Sequence, residues 1–269
     1  MDIYQKAQVV NLLGDSKLDD AIRIISANAP KSLFKYRSGI NINKYSGKLY
    51  DIEALEQQKL WMSQALQLDD PYDCAVLIKE DLEELINKLS EKDDKYKNPK
   101  YLNDVRMINQ DIRETALVCS LSENGTDIDM WTRYANYGKG FCIEYNFEEF
   151  FKEQKVIYPV VYGNIVKSIS EFIDKQKVYI DILLKKTDEL NWSTQEEWRI
   201  IRNANKHEKE NHGALIDTPK PTAIYLGYYI DEKLQNEIKF ICQNNNIDLY
   251  KMSLSSKKVE LIKEKIMLS

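Results

Sequence analysis

Apolar residues recur at helical spacing early in the chain, where Leu18, Ala21, Ile22 and Ile25 share one face before Pro30 breaks the run. This spacing predicts a helical N-terminal extension over residues 1–30, with a single main domain over 31–269. Leu33-Phe34-Lys35-Tyr36-Arg37 and Lys59-Leu60-Trp61-Met62-Ser63 read as short strands, with a helical turn at 52–56 between them. Leu82, Leu85, Ile86 and Leu89 mark an amphipathic helix that runs out into the charged stretch 91–100, read as a surface loop. Further strands are expected at 116–120, 141–145, 156–162, 197–201, 223–226 and 249–252. Helices are expected over 130–138, closed by Gly138, along Ile169, Phe172, Ile173, Ile180, Leu183 and Leu184, along Leu234, Ile238 and Ile241, and from about 256 to 266. Strands come in clusters, with helices inserted at irregular intervals. The pattern therefore predicts an α+β fold with a mixed or antiparallel sheet, and no repeat or Pro/Gly linker divides it.

Composition narrows the class without choosing a substrate. Of 269 residues, 43% are hydrophobic and 30% charged, an ordinary globular balance, and the net charge of −5 argues against a strong non-specific grip on a phosphate backbone. No apolar stretch is long enough to span a bilayer, and Met1-Asp2-Ile3-Tyr4 lacks the features of a signal peptide, so a cytoplasmic location is expected. Cys74, Cys119, Cys142 and Cys242 lie far apart, which suits buried reduced thiols. His207 and His212 both fall in a polar run, where solvated loop positions are expected, and they offer no metal centre or Cys–His pair.

A series of short motifs carries a resemblance. Leu33-Phe34-Lys35-Tyr36-Arg37 is followed by Leu68-Asp69-Asp70-Pro71-Tyr72-Asp73, Val118-Cys119-Ser120, Met130-Trp131 with Tyr134-Ala135, and Lys139-Gly140-Phe141-Cys142-Ile143-Glu144-Tyr145. Trp192 with Glu197-Trp198-Arg199, and then Ile224-Tyr225-Leu226-Gly227, complete the order. From residue 31 onward this order resembles the bacterial family of domain of unknown function 2971. Two positions depart from it: the family usually has Asn where Asp69 stands and glutamate where Gln195 stands.

A second likeness concerns chemistry. Gln195-Glu196-Glu197, expected at the start of a strand, is similar to the Gln/Glu-x-Glu motif of mono-ADP-ribosyltransferases, whose earlier basic and serine positions Arg37 and Ser63 would fill in the same order. This likeness implies an ADP-ribosyltransferase-like fold. It also implies NAD as substrate and transfer of ADP-ribose to a macromolecular target, protein or nucleic acid, in bacterial defence or toxin–antitoxin conflict with an antitoxin or defence partner. Cleaving the nicotinamide–ribose bond builds oxocarbenium character on the sugar, so a fixed carboxylate, Glu197, would stabilise the transition state while Gln195 positions the acceptor. Arg37 would bind pyrophosphate or ribose through its planar fork of donors. Tyr36, Ser63 and Tyr134 complete the NAD-binding set.

Plainer readings stand beside these. Glu196, Glu197 and Arg199 also read as a charged strand start with surface ion pairs worth roughly 0–1 kcal/mol. Lys35 and Arg37 also read as the solvent side of an edge strand. Trp131 and Tyr134, spaced i, i+3, read first as core packing. Asp70-Pro71 reads as a turn with Asp73 as a local cap, against a nuclease reading that recruits Asp70, Asp73 and Glu197 as Mg²⁺ ligands. The competing class is a non-catalytic binding or regulatory module on the same fold.

Overall fold

The computed structural model describes residues 1–268 except 69, 76, 79–81, 92, 98, 155–156, 168–174 and 189–190. Asp2 opens α1 (Ile3–Gly14) with a capping box: its side chain accepts from the Gln5 N–H, and the Gln5 side chain accepts from the Asp2 N–H. α2 (Leu18–Asn28) stops where Ala29 turns extended ahead of Pro30. Then come β1 (Ser32–Arg37), α3 (Tyr50–Glu56), β2 (Lys59–Gln64), β3 (Leu77–Ile78), α4 (Leu82–Ser90) and α5 (Pro99–Thr115). They are followed by β4 (Ala116–Ser122), α6 (Ile128–Tyr134), β5 (Phe141–Asn146), α7 (Phe147–Gln154), β6 (Ile157–Pro159), β7 (Val161–Tyr162) and β8 (Val166–Lys167). α8 (Lys175–Leu184) runs directly into β9 (Lys185–Lys186). β10 (Glu197–Asn203), α9 (Lys206–Glu210), β11 (Gly213–Asp217), β12 (Ala223–Leu226), α10 (Glu232–Asn245), β13 (Asp248–Leu254) and β14 (Leu261–Ile266) complete the order.

The fold is α+β around a 10-stranded, mostly antiparallel sheet, in the order β11-β2-β4-β1-β5-β12-β13-β14 with β10 joined to β4 and β6. Its one parallel pair, β12–β13, is the pair that α10 bridges. β4 has three partners. β10 pairs with it from end to end, so β2 (Ser63↔Val118, Gln64↔Leu117) and β1 (Phe34↔Ser122) share its other edge. Between those two contacts the edge of β4 is split open, and there the Ser120 carbonyl accepts from Lys35 Nζ at 2.7 Å. The register aligns Phe34, Ser122 and Glu197 in one row, so all three point to the same face.

The opposite face holds Leu33, Leu121, Tyr145 and Trp198, packed with Phe147 and Phe150 of α7. The N-terminal helices join this core: Val9, Val10, Leu13, Ala21 and Ile25 are buried in the same cluster, and Lys6 pairs at 2.6 Å with Glu123, which also accepts from Trp198 Nε1. A smaller cluster on the Glu197 face gathers Tyr36, Trp131, Cys142, Tyr225 and Met252. No helix among the described residues is long and apolar enough to cross a membrane.

Several elements differ from expectation. The closing helix over 256–266 is instead a turn and the edge strand β14, whose ladder with β13 outweighs local helical preference. The loop assigned to 91–100 holds a 3-10 turn and the start of α5, with Pro99 at the first helical position, where its missing N–H costs nothing. β1 lies inside the sheet between β4 and β5, not at an edge. Val156, Ile169, Phe172 and Ile173, expected in a strand and a helix, lie outside the described residues, whereas Ile180, Leu183 and Leu184 are buried on α8. All four cysteines are buried and free.

Candidate functional site

Alternation along β10 sends Glu197 and Arg199 to one face, and both are buried there, Arg199 completely. Arg199 Nε donates to Glu197 Oε1 at 2.7 Å and its Nη2 to Glu197 Oε2 at 3.1 Å. The same Nη2 reaches Asp73 Oδ2 at 2.7 Å, while Nη1 donates to the Leu183 carbonyl at 2.9 Å. Lys186, delivered by β9, lies 3.1 Å from Asp73 Oδ2 and 3.6 Å from Glu197 Oε2. Two carboxylates and two cations thus form a neutral, buried network that joins three distant segments of the chain.

Its electrostatics follow from that pairing. Burial would raise the Glu197 carboxyl, but Arg199 and then Lys186 outweigh it and hold it below the ordinary value. Asp73 is likewise held well below the usual range, burial being overcome by Arg199 and Lys186. Burial opposes the charge on Lys186, yet Glu197 and Asp73 raise it. All four groups are therefore ionised at neutral pH. Asp73 is positioned by a turn in which its N–H bonds the Asp70 carbonyl at 3.0 Å and its Oδ1 accepts from Cys74 N at 2.7 Å. The expected turn is there, and it also carries a member of the network.

Above the network opens a cleft of about 200 Å³. Phe34, Tyr36, Leu68 and Met130 form its apolar wall; Asp70, Ser120, Ser122, Tyr134, Trp192 and Gln195 supply polar groups. Gln195 belongs to a 3-10 turn, Trp192–Gln195, and the strand begins only at Glu197, because Glu196 between them is left-handed (φ 45°). The strand alternation expected for Gln195 and Glu197 is therefore absent, yet both line the cleft. Ser122 Oγ donates to the Gln195 carbonyl at 2.7 Å, and Gln195 Nε2 donates to Tyr134 Oη at 3.1 Å. Left-handed non-glycine residues cost energy, and the network and Ser122 hold this one in place. Lys186 and Arg133 lie 4.5 and 5.0 Å from the centre of the Trp192 ring.

Four of the six residues singled out from sequence meet here: Gln195, Glu197, Tyr36 and Tyr134. Tyr36 donates from Oη to the Asn124 carbonyl at 2.7 Å and packs edge-on against Trp131. Trp131 itself is core, its indole N–H bonded to the Gly125 carbonyl, so the two aromatic residues of α6 part company. Arg37 points to the opposite face of the sheet from Phe34, Tyr36 and Glu197; it pairs with buried Asp51, whose other oxygen accepts from Gly39 N. Ser63 sits opposite Val118, four positions along β4 from Ser122, roughly 13 Å at strand spacing, and outside the cleft lining. Asp73 and Glu197 do come together, but across cations. Among the described residues no group of three His, Cys, Asp or Glu side chains is placed to hold a metal.

Sequence reasoning missed Lys186 altogether. A lysine pair that ends a helix, Lys185-Lys186, reads as surface charge unless its strand pairing is known.

A model of the family described as "Protein of unknown function (DUF2971)" matches residues 130–200. That stretch holds Tyr134, Lys186, Trp192, Gln195, Glu197 and Arg199 of the site's polar side and Met130 of its apolar wall. No curated protein and no solved structure matches the chain.

Proposed function

We propose that the chain is a small-molecule binding module whose site is the cleft on the Glu197 face of the sheet. Asp73, Lys186, Glu197 and Arg199 serve as its rigid floor. The observation that supports this best is that both Glu197 oxygens are already engaged, Oε1 by Arg199 Nε at 2.7 Å and Oε2 by Arg199 Nη2 at 3.1 Å with Lys186 nearby. A carboxylate held in this way keeps its charge and its place, and it fixes the groups beside it. Gln195, Tyr134 and Ser122 then offer donors and acceptors above an apolar wall, the usual make-up of a ligand pocket. Calorimetry with a panel of amino acids, sugars, nucleotides and NAD tests this. A ligand whose affinity falls about tenfold in Gln195→Ala supports the cleft, and a binder indifferent to every cleft substitution argues against it.

Mono-ADP-ribosyl transfer remains a second reading because Gln195, Glu197, Tyr36 and Tyr134 line one cleft. In that reading ionised Glu197 faces the developing oxocarbenium, and Arg37, on the other face of the sheet, takes no part. Labelled NAD separates the readings: a loss of turnover of roughly two to three orders of magnitude in Glu197→Gln, with the chain still folded, favours the transferase. Absence of turnover in the wild-type chain leaves the binding module.

A further inference from the structure

The large sheet ends in β11 on one side and β14 on the other, and the two edges are built differently. β14 reads Leu261-Ile262-Lys263-Glu264-Lys265-Ile266, so any pairing with a second copy centred on Lys263, Glu264 or Lys265 sets like charges opposite each other. Natural sheets guard an edge in this way. β11 reads Gly213-Ala214-Leu215-Ile216-Asp217, apolar through its middle, with a single charge at its end. Its sequence carries no such guard.

The hydrogen bonds beside β11 show which backbone groups the edge offers. Gln64 N donates to the His212 carbonyl at 3.0 Å and Thr218 N to the Gln58 carbonyl at 2.9 Å, so the even-numbered positions turn their backbone groups toward β2. Gly213, Leu215 and Asp217 turn theirs outward. Among the described residues no strand pairs with that side. Leu215 stands opposite Trp61 on β2, and these two large apolar side chains are 45% and 37% exposed.

A second copy of the strand meets this edge fully in the register centred on Leu215. A two-fold axis perpendicular to the sheet at that point makes the pairing antiparallel and keeps every side chain on its own face. Leu215 then lies opposite the partner's Leu215, Ala214 opposite the partner's Ile216, and Asp217 opposite the partner's Gly213, which has no side chain to oppose it. Each outward N–H and C=O of Gly213, Leu215 and Asp217 finds its complement. The rows of β2 and β11 also continue across the join. Trp61, Leu215, the partner's Leu215 and the partner's Trp61 make one apolar line; Met62, Ala214, the partner's Ile216 and the partner's Leu60 make another on the opposite face.

We infer that the outer edge of β11 is a dimerisation surface, where a second copy of this chain joins its sheet to the first through antiparallel pairing of Gly213–Asp217. This stands apart from what the cleft binds.

Sedimentation of the full chain over a wide dilution series tests it. The wild-type chain is expected at twice its own mass when concentrated and at its single mass when dilute. Leu215→Lys sets two ammonium groups together on the axis and should raise the dissociation constant at least tenfold. Leu215→Pro removes an outward N–H that β2 does not use, and should do the same. Glu264→Gln, on the guarded edge, should change nothing. Leu215→Cys should cross-link under mild oxidation, because the paired Cα atoms stand about 5.5 Å apart, inside the span of a disulfide. Asp217→Cys should not, its twin lying roughly 13 Å along the strand. The four native cysteines are buried and do not compete. If the lysine or proline variant fails to fold, the wild-type series and the cysteine pair decide the question. A wild-type chain of single mass at every concentration overturns the proposal. So does a dimer indifferent to both Leu215→Lys and Leu215→Pro, or cross-linking as ready in Asp217→Cys as in Leu215→Cys.

Discussion

Strand β10 carries two arginine–carboxylate assemblies three residues apart, and they differ in nearly everything but chemistry. Arg199 is fully buried between Glu197 and Asp73, under a cleft, with Lys186 as a second cation. Arg202 pairs with Glu208 at 2.7 Å near the surface, two parallel bonds across the start of α9. The buried set had to surrender the hydration of four charges, and in return Arg199 places its N–H donors on Glu197, Asp73, the Leu183 carbonyl and Cys74 Sγ. The surface pair surrenders little and gains little. Identical side-chain types on one strand therefore have unlike roles: one fixes the shape of a site, the other trims a helix cap.

The largest effect that could break this comparison is Arg199→Met. It leaves Asp73 and Glu197 buried with Lys186 alone and should destabilise the chain by roughly 3–5 kcal/mol, a fall in Tm of about 10 °C by thermal melting. A loss below about 1 kcal/mol would mean the network is not the rigid floor described here.

Acid should sharpen the contrast. Asp73 and Glu197 are held below their ordinary values of 3.8 and 4.5, so the stability they contribute is complete above those values and drains away as pH falls through them toward the lowered ones. Glu208 is pulled down to about 2, chiefly by its hydrogen bond from Arg202, and acts in the same direction, but solvent screens this surface pair and its share of stability is small. Denaturant melts between about pH 5 and pH 3 should show the wild-type chain and Glu208→Gln losing stability nearly in parallel. The Glu197→Gln curve should be flatter.

Smaller still is Tyr134→Phe, which leaves Gln195 Nε2 without its 3.1 Å acceptor at the cleft rim. The cost should be about 1 kcal/mol in equilibrium unfolding, the net worth of a neutral hydrogen bond. Smallest is Arg202→Met, expected within about 1 kcal/mol of wild type.

What could be read from the sequence was whatever repeats locally. Leu33 to Arg37, Ala223 to Leu226 and the run of Leu234, Ile238 and Ile241 carry their own period, and β1, β12 and α10 formed where that period placed them. α5 escaped because its start lies at the end of a run rich in lysine and aspartate, and β14 because only its pairing with β13 makes it a strand. In the site, Glu197 and Gln195 were visible as a tripeptide. The partners that decide what Glu197 can do were not: Asp73 is 124 positions away, and nothing local distinguishes it from a turn aspartate. Arg37 was misjudged for a simpler reason. Phe34 faces the cleft, and in a strand the residue three positions on must face away from it.

The split edge of β4 bears on how the chain comes to fold. That strand is bordered by β1, β2 and β10, drawn from both ends of the sequence, so the cavity walls are fixed only by contacts of long sequence separation, the slow kind to form. No local fragment, and no intermediate lacking one of these strands, can offer the complete pocket. A molecule that lodges there recognises the finished protein alone and draws the equilibrium toward it by mass action. Occupancy of the cleft would thus report the arrival of the last strand as faithfully as any spectroscopic signal.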